Sequence, residues 1–133
     1  MPSLSPSGPQ VPASEDAYRP ILTMLHWSAE DDRPSSACFD TDYLSVELCS
    51  RTSASDSARR QQVRDRTVFY VVRFNCGAAR EIGFDTRDER DDIDPDNSAH
   101  AHLYNTWFDQ GLSNNQRKKR CRHMSELCVS VTF

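Results

Sequence analysis

No stretch of the 133 residues approaches the roughly 20 consecutive apolar positions of a membrane-crossing helix, so the sequence predicts no contact with a membrane. A cationic start followed by a continuous apolar segment is also missing, which argues against a secretion signal. The chain lacks paired Cys-x-x-Cys and His-Glu-x-x-His spacings, so no metal site is assigned and no cofactor is expected. The acidic run from Asp85 to Asp96 has neither the glycine nor the closing glutamate of a hand-shaped calcium loop. Five cysteines, an odd number at irregular spacings, predict reduced thiols in a cytoplasmic compartment rather than a disulfide framework. Lysine is nearly absent: Lys118 and Lys119 are the only two, and such an arginine bias reflects genome composition more than function.

What is present suffices for one modest core, with two tryptophans, six phenylalanines and four tyrosines as its large members. Four of the seven prolines fall between Met1 and Ser14, among serines and scattered apolar residues, so residues 1–18 are expected to be a disordered tail ahead of a single domain over 19–133. A net charge of −4 argues against a dedicated nucleic-acid binder, but its distribution matters more. Asp85 to Asp96 carries seven acids against Arg87 and Arg90, whereas Arg117 to Arg122 carries five cations and no acid. These blocks are expected either to face each other or to serve different partners.

Periodicity predicts the elements. Tyr18 to Trp27 reads as a first strand, and Tyr43 to Cys49 as a half-buried one with Leu44, Val46 and Leu48 on its inner face. Ser53 to Arg66 reads as a largely solvated helix, and Val68 to Phe74, the most β-prone run, as the central strand. Asn75-Cys76-Gly77 turns into a short helix that Gly83 stops, Asp85 to Asn97 reads as a loop, and residues 99–108 resume a strand. Ser113 caps a helix reaching about Leu127, and Val129 to Phe133 closes as a strand. The expectation is an α+β fold, a small mixed sheet of four to five strands with two to three helices packed on it.

Chemistry concentrates in Asp94-Pro95-Asp96-Asn97-Ser98-Ala99-His100-Ala101-His102-Leu103-Tyr104. On a strand, His100, His102 and Tyr104 project together while Ala99, Ala101 and Leu103 project the other way. Two imidazoles titrating near neutral pH can act as acid and base, so His100 and His102 are the catalytic candidates; as metal ligands they would need help from Asp94, Asp96, Cys121, His123 or Cys128. Asn97, Tyr104, Arg117, Lys118, Lys119 and Arg122 are the binding candidates; the cationic helix can contact nucleic acid through charge, although it contains no aromatic residue for base stacking. Cys76, placed between a strand and a helix start, is the candidate reactive thiol, with the Gly77 and Ala78 N–H groups as anion donors. For each, packing or solvation is the plain alternative.

The segments Asp42-Tyr43-Leu44-Ser45-Val46, Gly77 to Phe84 and Asp96 to Tyr104, with Arg117-Lys118-Lys119 behind them, resemble short uncharacterised bacterial proteins that look like accessory genes of multi-gene operons. That resemblance implies a bacterial cytoplasmic origin and one small domain, and it carries no activity over to any residue. The expected function is a non-enzymatic accessory or regulatory module that binds a protein partner. Its rival is a small phosphodiesterase or nuclease in which His100 and His102 shuttle protons while the 117–123 helix neutralises phosphate.

Overall fold

In the computed structural model, which describes residues 8–88 and 97–133, the alternation of Tyr43–Leu48 becomes strand β4, with Leu44, Val46 and Leu48 buried. The other strands are β1 (Asp16–Ile21), β2 (Trp27–Ser28), β3 (Arg33–Pro34), β5 (Tyr70–Asn75), β6 (Phe84–Asp88), β7 (His100–Asn105) and β8 (Val129–Val131). Three α-helices accompany them among the described residues: α1 (Ala54–Gln62), α2 (Cys76–Glu81) and α3 (Asn114–Glu126). Ser53 caps α1 by accepting from the Asp56 N–H, and Ser113 and Gln116 form a reciprocal capping box at the start of α3.

The α+β class holds, but the sheet is larger than four to five strands and antiparallel throughout rather than mixed. Six strands run in the order β6-β7-β4-β1-β5-β8, and β2 and β3 form a separate ribbon. One face carries the main core, where Ile21, Leu48, Phe74 and Leu103 meet Phe39, Phe84, Trp107 and, from α3, Cys121 and Met124. On the other, Ala54 and Ala58 of α1 cover Val71, with Val68 beside them.

Several elements depart from the sequence expectation. The first strand ends at Ile21 because Thr23 caps a short 3-10 turn over Met24–His26, and Trp27 begins β2 instead, stacking on Tyr70 at 3.7 Å between ring centroids. The Val68–Phe74 run is not central; β5 lies one strand in from the β8 edge, and β1 and β4 hold the middle. Asp85–Asp88 is strand rather than loop, since Phe84 and Thr86 are buried and Asp85 pairs with Arg87 at 2.8 Å, while residues 89–96 of the predicted loop lie outside the described residues. Residues 8–18, read as tail, attach to the fold: Val11 is 5% exposed, its N–H donates to Thr86 O at 3.3 Å, the Asp88 N–H donates to Pro9 O at 2.9 Å, and Asp16–Tyr18 open β1. Pairing along β6 offsets the low apolar content that composition alone weighs.

β1 and β4 pair only at Ala17↔Leu48 and Tyr18↔Glu47. Past that point the strands part, and Arg19 spans the gap by donating from Nη1 to the Ser45 carbonyl at 2.9 Å. The break in the sheet opens the cleft described below.

Two glycines separate the cost of a left-handed backbone from that of a clash. Gly83 has φ +93° and a Cβ there would sit 2.7 Å from Trp107 Cδ1, whereas Gly111 has φ +71° with nothing within 4 Å of a Cβ. Gly111→Ala is expected to cost about 1–2 kcal/mol from backbone strain alone, and Gly83→Ala about 2–4 kcal/mol from strain plus overpacking. Urea unfolding of both variants checks the order; equal losses would contradict it.

Candidate functional site

Asn97 prepares β7. Its Oδ1 accepts from the Ala99 N–H at 3.1 Å and its carbonyl accepts from the His100 N–H at 3.1 Å, a short turn that delivers His100 in extended conformation. From there alternation sends Ala101 and Leu103 into the main core and His100, His102 and Tyr104 to the opposite face, as the spacing predicts. The imidazoles meet there, with His100 Nε2 and His102 Nε2 3.3 Å apart. His102 is flanked by Tyr43 at 4.7 Å and Tyr104 at 5.9 Å between ring centroids. His100 is 8% and His102 5% exposed, so neither stands open to solvent.

The register places Glu47 opposite His100 and Ser45 opposite His102. Glu47 is buried, and its Oε2 accepts from Arg60 Nε at 2.6 Å and from Asn97 Nδ2. Arg60 also donates to the Thr52 hydroxyl, which fixes the guanidinium between α1 and the sheet. A buried carboxylate is tolerable when its charge is met by a guanidinium and an amide in this way.

Where β1 and β4 diverge, these groups border a cleft of about 510 Å³. Arg19, Arg60, Arg64 and Arg66 line it together with Glu47, Asn97 and His100. Arg19 Nε is buried without a hydrogen-bond partner, and Arg66 donates to Gln61 Oε1 at 2.9 Å. The described lining residues include four arginines and one carboxylate, an excess of positive charge in a protein of net negative charge.

The structure does not bring the predicted site together. Arg117, Lys118, Lys119 and Arg122 sit on α3, whose Cys121 and Met124 pack into the core on the face away from the histidines. Arg117 pairs with Asp40 at 2.6 Å, and Arg120 lies over the Trp107 ring. The described part of the acidic block has its own partners, Asp85 with Arg87 and Asp88 with Arg51. Asp94 and Asp96 lie outside the described residues. Cys121 and Cys128 belong to the main core and cannot share an ion with the histidines. Among the described residues no three His, Cys, Asp or Glu side chains already converge on one point.

Sequence reasoning missed Arg19, Arg60, Arg64 and Arg66, which lie in what reads as a strand and a solvated helix. The alternation of β4 does mark Glu47 as facing away from the main core, but only the β4–β7 register puts it beside His100. Cys76 also departs from expectation. It is fully buried, burial pushes its thiol up to about 11, and the two expected anion donors are taken: Gly77 N–H by Ala13 O at 3.2 Å and Ala78 N–H by Asn75 Oδ1 at 2.9 Å.

No protein-family model, no curated protein and no solved structure matches the chain. No described helix is long and apolar enough to cross a membrane.

Cys38 and Cys76 hold their protons to about 11, and Cys49 and Cys121 to about 12, in each case chiefly because burial disfavours the thiolate. The unfolded chain ionises its thiols near the ordinary value of about 9, so thiol-linked stability is complete below that pH and is lost as pH rises toward the folded values. The urea midpoint is expected to fall steadily from about pH 9 to about pH 11, and less steeply in Cys76→Ala. A midpoint flat over that range would contradict the burial.

Proposed function

We propose that the protein is a non-enzymatic accessory module that holds an acidic segment of a partner protein in the cleft lined by Arg19, Arg60, Arg64 and Arg66. The observation that carries this reading is the excess of four arginines over one carboxylate among the described residues that line the cleft where the sheet opens between β1 and β4. Guanidinium groups receive carboxylates and phosphates through paired donors, and among the described lining residues His100 is the one ring on which a base could stack. A protein segment therefore fits better than a nucleic acid. Charge steering of this kind sets encounter rate and specificity and weakens with salt.

Charge reversal of the two exposed cleft arginines, Arg64→Glu with Arg66→Glu, is expected to lower affinity for a fluorescent oligoglutamate peptide by about tenfold or more. Reversal of Lys118 and Lys119, on the far side of the sheet, should leave it unchanged. Fluorescence anisotropy at low and high salt measures both; equal losses from the two pairs, or salt-independent binding, would sink the reading.

The 3.3 Å contact between His100 and His102 favours a second reading, phosphodiester cleavage, because one Nε2 can donate while its neighbour accepts. The cations facing phosphate would then be Arg60, Arg64 and Arg66, not the α3 helix. His100→Gln should abolish cleavage of RNA or DNA while the melting temperature stays nearly constant, and a purified protein inert on both nucleic acids removes this reading.

A further inference from the structure

We infer that His100, His102 and Glu47 form a transition-metal site that takes zinc or a similar divalent ion. The inference does not depend on the cleft's partner, since none of the arginines is a ligand.

The separation of the two imidazoles is the first ground. A tetrahedral ion held about 2.0–2.1 Å from each nitrogen places the two nitrogens about 3.3–3.4 Å apart. His100 Nε2 and His102 Nε2 are 3.3 Å apart. A spacing of 3.3 Å lies at the long end of the hydrogen-bond range and equals the bite of a shared ion. The rings also need little reorganisation. Both are buried, and His102 is held between Tyr43 and Tyr104.

The second ground is an orphaned carboxylate oxygen. Glu47 is 6% exposed, and its Oε1 is buried without a hydrogen-bond partner while Oε2 takes Arg60 and Asn97. A buried acceptor left unsatisfied is costly, and a cation drawn to it removes that cost. Glu47 lies directly across from His100 in the β4–β7 register. Two imidazoles and a carboxylate are a recurrent donor set for zinc and for ferrous iron, with further positions left to water. Because no three ligating side chains already converge, the ion must draw Glu47 in by a change of rotamer, with the two histidines as its fixed anchors.

The site escapes sequence inspection because its ligands come from two strands, with Glu47 far upstream of the histidines. The other described histidines lie elsewhere: His26 ends the 3-10 turn after β1, and His123 is in the last turn of α3. They serve as controls.

Calorimetric titration of chelator-treated protein with zinc, paired with the visible spectrum on cobalt(II), tests the site. One equivalent per chain is expected, with affinity reduced about tenfold or more in His102→Gln and in Glu47→Gln and unchanged in a His26→Ala, His123→Ala double variant. Circular dichroism establishes that the variants fold. Should His102→Gln fail to fold, selective cobalt(II) broadening of the His100 and His102 imidazole resonances in the native protein replaces it. No binding at millimolar zinc, full affinity in His102→Gln, or broadening at His26 and His123 instead would overturn the metal site, and full affinity in Glu47→Gln would overturn the carboxylate ligand. Loss of metal binding with peptide binding intact would leave the cleft reading standing, so the two fail separately.

Discussion

The antiparallel pairing of β4 with β7 is the constraint on which the rest of this molecule depends. It sets Leu44 against Leu103 and Val46 against Ala101 on one face, and Tyr43, Ser45 and Glu47 against Tyr104, His102 and His100 on the other. A slip of one residue would turn the core residues to the polar side and drive two imidazoles and a carboxylate into the main core. The same register therefore specifies both the packing and the polar cluster. Burial on the core side makes slippage expensive, which holds the histidines and Glu47 in a fixed relation without any covalent staple.

A second consequence comes from the short pairing of β1 with β4. Two strands in the middle of a sheet that touch only at one end expose backbone groups where they part, and Arg19 satisfies one of them by bonding to the Ser45 carbonyl. The gap left over is the cleft. Its arginines come from β1, from the last turns of α1 and from the segment that follows, while its carboxylate, amide and imidazole come from β4, the turn before β7, and β7 itself. Placing Arg60 on Glu47 lets a charged group lie under α1 at a tolerable cost.

Charge blocks that look complementary along the chain are disposed differently in space. Arg117 finds Asp40, Arg51 finds Asp88, and Arg87 finds Asp85, so these members of the two blocks pair outside the opposite block. The cysteines tell a similar story of local appearance against environment. Cys76 stands at a strand-to-helix turn, where a thiol can be activated, yet burial and the prior claims of Asn75 and Ala13 on the nearby N–H groups leave it a protonated packing residue.

The chain by itself determined what depends on near neighbours. Alternation placed β4 and β7, β-prone residues placed β8, the Ser53 and Ser113 caps placed α1 and α3, and two-residue spacing placed both histidines on one face. It failed where distant partners outweigh local preference. Asp85–Asp88 becomes strand because β7 and residues 9–11 flank it; residues 9–11 join the fold because β6 offers them an edge, and Asp16–Tyr18 join it as the start of β1 between β4 and β5. Only the tertiary structure decided that Glu47 and four arginines, rather than the 117–122 cations, surround the histidines, since that neighbourhood is set by strand register and by which face each helix covers, quantities fixed by long-range packing and invisible to periodicity.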